Sequence, residues 1–149
     1  MSIVNNKKLS IQITDTSINI LIENKNKIYE THTIELENGD CKDGNVRDKD
    51  SIVKLLNDYL DVNGRDVKNV SFVLRGSDII TRYIEVPILK NDALIEAVNF
   101  EFKQFIPDID DYYMNYEIVE KINTKEKKAY KILLVAATKE KINPIIEIA

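Results

Sequence analysis

The sequence predicts an α+β fold, and three observations carry that prediction. Leu9 to Ile13 alternates apolar with polar side chains, which is the period of a half-buried strand. Several short apolar segments follow, separated by turn-forming residues. Two longer segments repeat apolar residues at spacings of three and four, which is typical of amphipathic helices. With 44% hydrophobic residues, the 149-residue chain can form the core of one domain or of two small lobes.

The first three predicted strands form an antiparallel meander. The first strand is followed by the turn "TDTS" at residues 14–17, and "INILIE" then resumes a strand. The polar turn "NKNK" leads into a third strand, "IYETHTIEL". Because connections this short join neighbouring antiparallel strands, we expect the three strands to pair in sequence order.

The acidic segment "ENGDCKDGNVRDKD" is predicted to be a surface loop rather than a calcium site. An EF-hand loop needs oxygen ligands at its first, third and fifth positions and glycine at its sixth. Placing Gly44 sixth puts Gly39 first and Cys41 third, so the ligand pattern fails.

A helix and a strand are predicted after this loop. We expect Asp50 or Ser51 to cap the helix "DKDSIVKLLNDYLDVNG", and Asn63 and Gly64 to end it. Its apolar stripe comprises Ile52, Leu55, Leu56, Tyr59 and Leu60. The next segment, "VSFVLR" at residues 70–75, is apolar and β-branched enough for a buried strand.

A second helix is predicted between two prolines. We expect the strand "DIITRYIEVP" to end at Pro87, Asn91 to cap the helix and Pro107 to end it, because the residue before a proline avoids helical angles. The apolar face of the helix comprises Leu94, Ala97, Val98, Phe102, Phe105 and Ile106. Two strands, "YYMNYEIVEKI" and "KAYKILLVAATK", and a last helix, "KEKINPIIEIA", follow.

The order of these elements predicts the architecture. A three-stranded meander followed by a helix and another strand is half of the actin-like (ribonuclease H-like) fold, and the β-α-β-β unit that comes next is an insertion within that half. We therefore predict an actin-like subdomain formed by residues 1–76 and 129–149, with residues 77–128 as an inserted β-α-β-β subdomain.

Charge and residue usage argue against several functions. The net charge is −4 and the lysines are dispersed among acids, so we expect no nucleic-acid partner. No apolar run approaches the roughly 20 residues that cross a bilayer. Cys41 is the only cysteine, which permits no internal disulfide and favours a cytosolic protein.

The remaining reactive or charged groups are expected to have structural roles. His32 is the only histidine, so a catalytic triad or a histidine metal site is not expected, and Cys41 has no histidine near it in sequence. The acids of "DIDDYY" at residues 108–113 follow a helix C-terminus, where the helix dipole disfavours them. We expect a solvated loop there, or acids that face a basic partner, rather than a metal site.

Four stretches carry a resemblance to a known family. They are "CKDGNVRDKDSIVKLL", "GSDIITRYIEVPILKNDALIEAVNFEFKQFIP", "YYMNYEIV" and "ILLVAATKEKI". In this order and spacing they resemble the PilM family, the cytoplasmic actin-like proteins of type IV pilus assembly. The division protein FtsA and the cytoplasmic domain of the secretion protein GspL are similar to it at a greater distance.

The sequence departs from the first phosphate loop of that family. Gln12, Thr14 and Asn19 stand where the family has Asp, Gly and Lys, although Thr16 and Ser17 keep hydroxyl groups and backbone amides for a degenerate phosphate loop. The family's chain also continues into a second half with most of the nucleoside pocket, whereas this sequence ends at Ala149. We therefore expect no catalytic residue, no metal and no cofactor in this chain, while ATP stays open as a ligand of a longer natural protein.

The resemblance implies a partner. In the family, an apolar cytoplasmic N-terminal peptide of the membrane protein PilN lies in a groove between the actin-like part and the insertion. Phe100, Phe105 and Pro107 are the residues we expect to line that groove, with Arg82 as a polar anchor. Other pilus assembly proteins, including the assembly ATPase, are further implied partners. The chain would then be cytoplasmic, at the inner face of the cell membrane, and peripheral to it through its partner.

Two alternatives from other classes stay open. One is the N-terminal half of an actin-like ATPase or of a sugar-kinase-like enzyme, against which the altered phosphate loop argues. The other is a scaffold of the same fold that serves division or secretion with a different membrane partner.

Overall fold

The computed structural model describes residues 7–63, 66–106 and 108–149. The nine strands within these residues are β1 Lys7–Ile13, β2 Ser17–Asn24, β3 Lys27–Glu35, β4 Cys41–Lys42, β5 Asn45–Val46, β6 Val67–Val73, β7 Ile80–Pro87, β8 Tyr112–Asn123 and β9 Lys128–Thr138. The helices among the described residues are α1 Lys49–Asn63, α2 Asn91–Lys103 and α3 Lys139–Ile148, with a short 3₁₀ turn at Ile109–Asp111.

The chain divides into two compact units. Unit 1 comprises Met1–Ser77 and Asn143–Ala149, and unit 2 comprises Asp78–Ile142. The sequence placed the return to the first unit at residue 129, whereas β9 lies in unit 2. The reason is that β9 is the middle strand of the sheet of unit 2, paired with β7 on one side and with β8 on the other.

Unit 1 is built on a four-stranded sheet of order β3-β2-β1-β6. The predicted meander is confirmed, because β1 pairs antiparallel with β2 and β2 with β3. Strand β6 lies parallel to β1, and α1 lies in the crossover connection that a parallel pair requires. Lys25 and Asn26 both have positive φ, which gives the β2–β3 turn a twist that matches its flanking strands.

The core of unit 1 lies between one face of this sheet and α1. Alternate residues of β1 and β2 face it as cross-strand pairs: Leu9 with Ile22, Ile11 with Ile20, and Ile13 with Ile18. The predicted stripe of α1 packs on them, with Ile52, Leu56 and Tyr59 buried and Leu55 and Leu60 partly buried.

Helix α1 begins at Lys49, before both of its predicted caps. The Asp48 carboxylate, not Asp50 or Ser51, accepts a hydrogen bond from the Ser51 amide at 2.9 Å. The side-chain amide of Asn63 donates to the Tyr59 carbonyl at 2.9 Å and so satisfies one carbonyl of the last turn. Gly64, the other predicted end residue, lies outside the described residues.

The acidic loop is more ordered than a surface loop. Strands β4 and β5 form a small hairpin within it, and Cys41 is buried in the core of unit 1. Asp40 is buried too, and its carboxylate accepts a hydrogen bond from the Ser51 hydroxyl at 2.7 Å. The prediction of a plain surface loop was therefore wrong for this stretch.

Unit 2 is a three-stranded antiparallel sheet of order β7-β9-β8 with α2 packed on one face. The buried residues of its hydrophobic core are Val86, Leu94, Val98, Phe102, Ile132, Leu134 and Ala136. The predicted face of α2 is confirmed, since Ala97, Phe105 and Ile106 pack against this cluster as partly buried residues.

The start of α2 differs from the prediction. Lys90 occupies the N-cap position with an extended backbone and no side-chain cap, while Asn91 is the first helical residue and has a φ of +42°. Asparagine tolerates positive φ better than most residues, which accounts for its presence there without a capping role.

Candidate functional site

A recess of about 510 Å³ lies between β7 and α2 in unit 2. Its lining comes from consecutive residues of β7, from the last turn of α2 and from the two residues that follow this helix. The lining residues are Arg82, Tyr83, Ile84, Glu85, Glu101, Gln104 and Phe105.

The structure brings together two of the residues that the sequence predicted to bind a partner. The Arg82 guanidinium carbon lies 4.3 Å from the centroid of the Phe105 ring, which is a cation–π contact. The Phe105 ring in turn stands edge-on to buried Phe102, with 5.4 Å between ring centroids. The core therefore supports the aromatic ring, and the ring positions the cation at the wall of the recess.

Phe100 lies near these residues on α2 but does not line the recess. Its side chain is 63% exposed, and its carbonyl accepts a hydrogen bond from the Gln104 side chain at 3.4 Å. The exposure fits its predicted place on the flank of the apolar stripe. Pro107, the fourth predicted residue, lies outside the described residues.

Sequence reasoning missed the polar rim of the recess. Glu85 lies on β7 beside the recess and forms an ion pair with Lys127, whereas Glu101 and Gln104 lie within one helical turn of Phe105. Helical spacing from Phe105 was the signal that could have found Glu101, four residues before it. The rim adds carboxylate and amide groups to an aromatic and cationic wall, so the recess can accept both apolar and polar groups.

A second recess of unit 2 is lined in part by two acids of the "DIDDYY" segment, Asp108 and Asp111. It measures about 520 Å³ and is lined by Ile106, Asp108, Asp111, Tyr112, Thr138, Lys139 and Glu140. Across the described ranges, no three His, Cys, Asp or Glu side chains are arranged to bind a metal ion.

The β1–β2 turn, where the sequence predicted a degenerate phosphate loop, is closed on itself. The Thr14 hydroxyl oxygen accepts hydrogen bonds from the amides of Thr16 at 3.3 Å and Ser17 at 3.0 Å. The Thr14 amide donates to the Ser17 carbonyl at 2.8 Å. The two amides that the sequence left for a phosphate therefore already have an acceptor within the turn.

The other altered positions of this loop face away from the core. Gln12 and Asn19 are cross-strand partners, and the Asn19 side-chain nitrogen lies 3.5 Å from the side-chain oxygen of Gln12. The Thr33 hydroxyl donates a hydrogen bond to the side-chain oxygen of Asn19 at 3.1 Å. This row of neutral polar groups supplies no charge toward a phosphate.

Asp15, at the tip of the same turn, points its carboxylate at the β4–β5 hairpin. The Gly44 amide donates to Asp15 Oδ1 at 3.2 Å. Hydrogen bonds from the backbone amides of Asp43 and Gly44, together with the nearby charge of Arg75, lower the pKa of the Asp15 carboxyl.

His32 and Cys41 have packing roles in unit 1. The His32 ring stacks on the Tyr59 ring with 5.0 Å between centroids, and Cys41 is buried beside α1. Burial raises the pKa of Tyr59, and the neighbouring Glu30 charge raises it further. Of the helices in the described part of the chain, none has the length and apolar character needed to cross a membrane.

A comparison with family models decides the family. Residues 10–149 match the model described as type IV pilus assembly protein PilM. The chain belongs to this family. Its "CKDGN" stretch, one of those that carried the resemblance, is the β4–β5 hairpin that contacts Asp15.

Two solved structures are similar to this chain. This PilM-family chain superposes on a chain of a PilM-PilN type IV pilus biogenesis complex with a TM-score of 0.78 and 17% identity, over 95% of its own length. The match spans 43% of the chain in that complex. A Bacteroides thetaiotaomicron protein with an actin-like ATPase fold and unknown function gives a TM-score of 0.48 and 14% identity, covering 97% of this chain and 49% of that one. No curated protein matches the sequence.

The predicted fold is confirmed by the first of these structures. The mixed α+β architecture corresponds to about half of an actin-like protein. The residues of its β1–β2 turn are those that the sequence resemblance placed at the first phosphate loop.

Proposed function

We propose that this chain is a non-catalytic scaffold of type IV pilus assembly that binds an N-terminal cytoplasmic peptide of PilN. The family and the likeness to PilM in a PilM-PilN complex support this proposal. The observation that carries it is the recess between β7 and α2, where Arg82 is stacked on Phe105.

The recess has the chemistry that an apolar extended peptide requires. Phe105 and Ile84 offer apolar surface, while Arg82 and Gln104 offer donors for peptide carbonyls or for a polar side chain. Exposed Phe100 extends the aromatic surface of α2 beyond the recess. Aromatic and arginine side chains are the residues that most often dominate binding energy at protein interfaces.

A peptide titration tests this proposal. Phe105→Ala and Arg82→Ala should each weaken binding of the PilN N-terminal peptide by about 30-fold, the loss expected when a hot-spot residue of about 2 kcal/mol is truncated. Phe100→Ala should weaken it less, because Phe100 lies outside the recess. Tyr29→Ala is the matched control, since Tyr29 is an exposed aromatic residue of β3 in unit 1.

Binding must be separated from folding in this experiment. Each variant therefore needs a thermal unfolding curve by circular dichroism beside its titration. Folded Phe105→Ala and Arg82→Ala variants that bind the peptide as tightly as the parent would exclude this recess as the binding site.

The scaffold role includes no nucleotide hydrolysis. In the β1–β2 turn, the Thr16 and Ser17 amides already donate hydrogen bonds to the Thr14 hydroxyl. Gln12 and Asn19 are neutral, so they add no charge near this turn. Purified protein should therefore show no ATP turnover above a buffer blank. Turnover that is abolished by Ser17→Ala would contradict this part of the proposal.

The same role implies a location and further partners. A chain that binds the cytoplasmic end of a membrane protein would be recruited to the inner face of the cell membrane from the cytoplasm. Other pilus assembly proteins, including the assembly ATPase, would be reached in the same complex. Fractionation with and without PilN tests the location, because membrane association should require PilN.

A further inference from the structure

The β4–β5 hairpin turns through two residues whose backbone is well suited to binding an anion. Asp43 and Gly44 have φ angles of +51° and +71°. Successive residues of this kind leave their amides unused by the hairpin ladder and can direct them at a common acceptor. Here that acceptor is the carboxylate of Asp15, with Gly44 N to Asp15 Oδ1 at 3.2 Å.

Contacts with Arg75 and Ser77 also hold this turn in place. A Cβ on Gly44 would lie 2.2 Å from the Arg75 carbonyl oxygen, so the turn packs directly on that backbone. The Asp43 carboxylate accepts hydrogen bonds from the Ser77 amide at 2.9 Å and from the Ser77 hydroxyl. The amides therefore have their orientation set before any anion binds, which is the condition for a strong anion site.

Asp15 belongs to a different segment from the turn that binds it. It lies at the tip of the β1–β2 turn, 29 positions before Gly44 in the chain. The rest of that turn is closed by Thr14, whose hydroxyl accepts from the Thr16 and Ser17 amides. Both groups of amides near the place of the phosphate loop are thus occupied by acceptors from the chain itself.

We propose that the Asp43–Gly44 turn is an anion-binding site that Asp15 fills from within the chain, so that the β1–β2 turn is locked closed. The external ligand that fits the same amides is a small oxyanion, either free phosphate or the phosphate group of a nucleotide. Such an anion reaches the site only when the Asp15 carboxylate is removed. This inference does not depend on peptide binding.

Removal of the internal anion tests the proposal by chemical rescue. Asp15→Ala should lower the unfolding midpoint in chloride buffer, and added inorganic phosphate at matched ionic strength should raise it again in a saturable way. The apparent dissociation constant for phosphate should be at least tenfold lower in Asp15→Ala than in the parent. Asp58→Ala is the control, because it removes an exposed carboxylate from α1 in the same unit.

The Gly44 amide resonance gives a second readout at the site itself. It should shift with phosphate in Asp15→Ala and stay unchanged in the parent. If Asp15→Ala does not fold, Asp15→Asn, which keeps an acceptor without the charge, is titrated in its place. Phosphate effects on Asp15→Ala or Asp15→Asn no larger than on Asp58→Ala, with no shift at Gly44, would overturn the proposal.

A nucleotide arm identifies the source of the anion. ADP that binds the Asp15→Ala variant more tightly than inorganic phosphate would assign the site to a nucleotide phosphate. Equal or weaker binding of ADP would assign it to a free oxyanion. Either result requires the Gly44 amide to respond, so both support the anion site.

Discussion

At the scale of single residues, two phenylalanines of α2 should differ in how much they contribute to the free energy of unfolding, because they differ in burial. Phe102 is 1% exposed and Phe100 is 63% exposed, although only one residue separates them. Phe102→Ala should cost about 3–5 kcal/mol of the free energy of unfolding, because it leaves a cavity in a close-packed core. Phe100→Ala should change it by less than about 0.5 kcal/mol. Chemical denaturation measures both, and equal losses would show that the assignment of the buried face is wrong.

Two glycines with positive φ provide a similar matched pair. Gly44→Ala should destabilise the protein by about 2 kcal/mol or more, because the new Cβ meets the Arg75 carbonyl in addition to the backbone strain. Gly39 has a φ of +107° but open space around a Cβ, so Gly39→Ala should cost only the backbone strain of about 1 kcal/mol. Unfolding midpoints compare the two, and a larger loss at Gly39 would contradict the contact with Arg75.

The Asp15 carboxylate gives unit 1 a dependence on acidity. Because hydrogen bonds from the Asp43 and Gly44 amides lower its pKa below the ordinary value of 3.8, the unfolded chain takes up this proton first as the pH falls. Its stabilising effect is therefore complete well above pH 3.8 and is lost as the pH falls toward the folded-state pKa. The gap in unfolding midpoint between parent and Asp15→Asn should narrow from about pH 5 to about pH 3. A constant gap across this range would contradict the hydrogen bonds.

Helix caps were the residues that the sequence predicted least well, and tertiary contacts are the reason. Asp48, Asp50 and Ser51 are all good capping residues, so local preference does not choose among them. Hydrogen bonds to Asp40 determine which residue is the cap. The Asp40 carbonyl accepts a hydrogen bond from the Asp48 amide, and its carboxylate accepts one from the Ser51 hydroxyl. Such a contact from outside the helix leaves no signal in the local pattern.

At the scale of elements, an ion pair between a buried lysine and a partly exposed aspartate joins the two ends of unit 2. Asp78 is the first residue of this unit. Lys141 lies in α3, one residue before the unit ends at Ile142. Their Nζ and Oδ1 atoms are 2.9 Å apart, with the lysine side chain fully enclosed and the aspartate side chain 34% exposed. The pair therefore connects the turn that precedes β7 with the helix at the other end of the unit.

Loss of Asp78 and loss of Lys141 should lower the free energy of unfolding by different amounts. Asp78→Ala should cost about 3 kcal/mol, because it leaves a buried ammonium without this carboxylate. Lys141→Met should cost less, because it removes the buried charge and keeps much of the volume. The double variant should be more stable than the sum of the two losses predicts. Strictly additive losses in denaturant unfolding would show that the two groups do not interact.

Periodicity predicted the long elements and missed the short ones. The three strands of the meander and the apolar faces of α1 and α2 follow from spacing alone. Strands β4 and β5 have two residues each, too few to show any period, so their segment was assigned to a loop. The unit boundary was misplaced for a related reason: β9 pairs with β7 across about 50 residues, and pairing at that distance is not a local property.

At the scale of the whole molecule, the candidate site was predictable only in part. Arg82 and Phe105 were both predicted to line a partner groove, and the structure places them in contact. That they bind a partner stays a prediction. Glu101 and Glu85 complete the recess but look like ordinary solvated residues in the sequence. The closure of the β1–β2 turn by Thr14 was also hidden, since a threonine in place of glycine indicates only a lost phosphate loop.

The two units have separate cores that share no residue, so local unfolding should also be separate. Phe102→Ala should accelerate hydrogen exchange of the Ile132 and Leu134 amides in β9 by about 100-fold or more, because about 3 kcal/mol of core packing is lost. The Leu9 and Ile11 amides in β1 should keep their parent rates.

Ile52→Ala, in the core of unit 1, provides the reciprocal experiment: it should accelerate exchange in β1 and leave β9 unchanged. Exchange measured residue by residue under native conditions decides between this result and the alternative of one cooperative unit. If the chain is one cooperative unit, each substitution would accelerate hydrogen exchange of the β1 and β9 amides alike, because both strands would exchange only through the same global unfolding. Separate responses would mean that peptide binding at the recess of unit 2 and anion binding at the β4–β5 turn of unit 1 can be measured, and disrupted, one at a time.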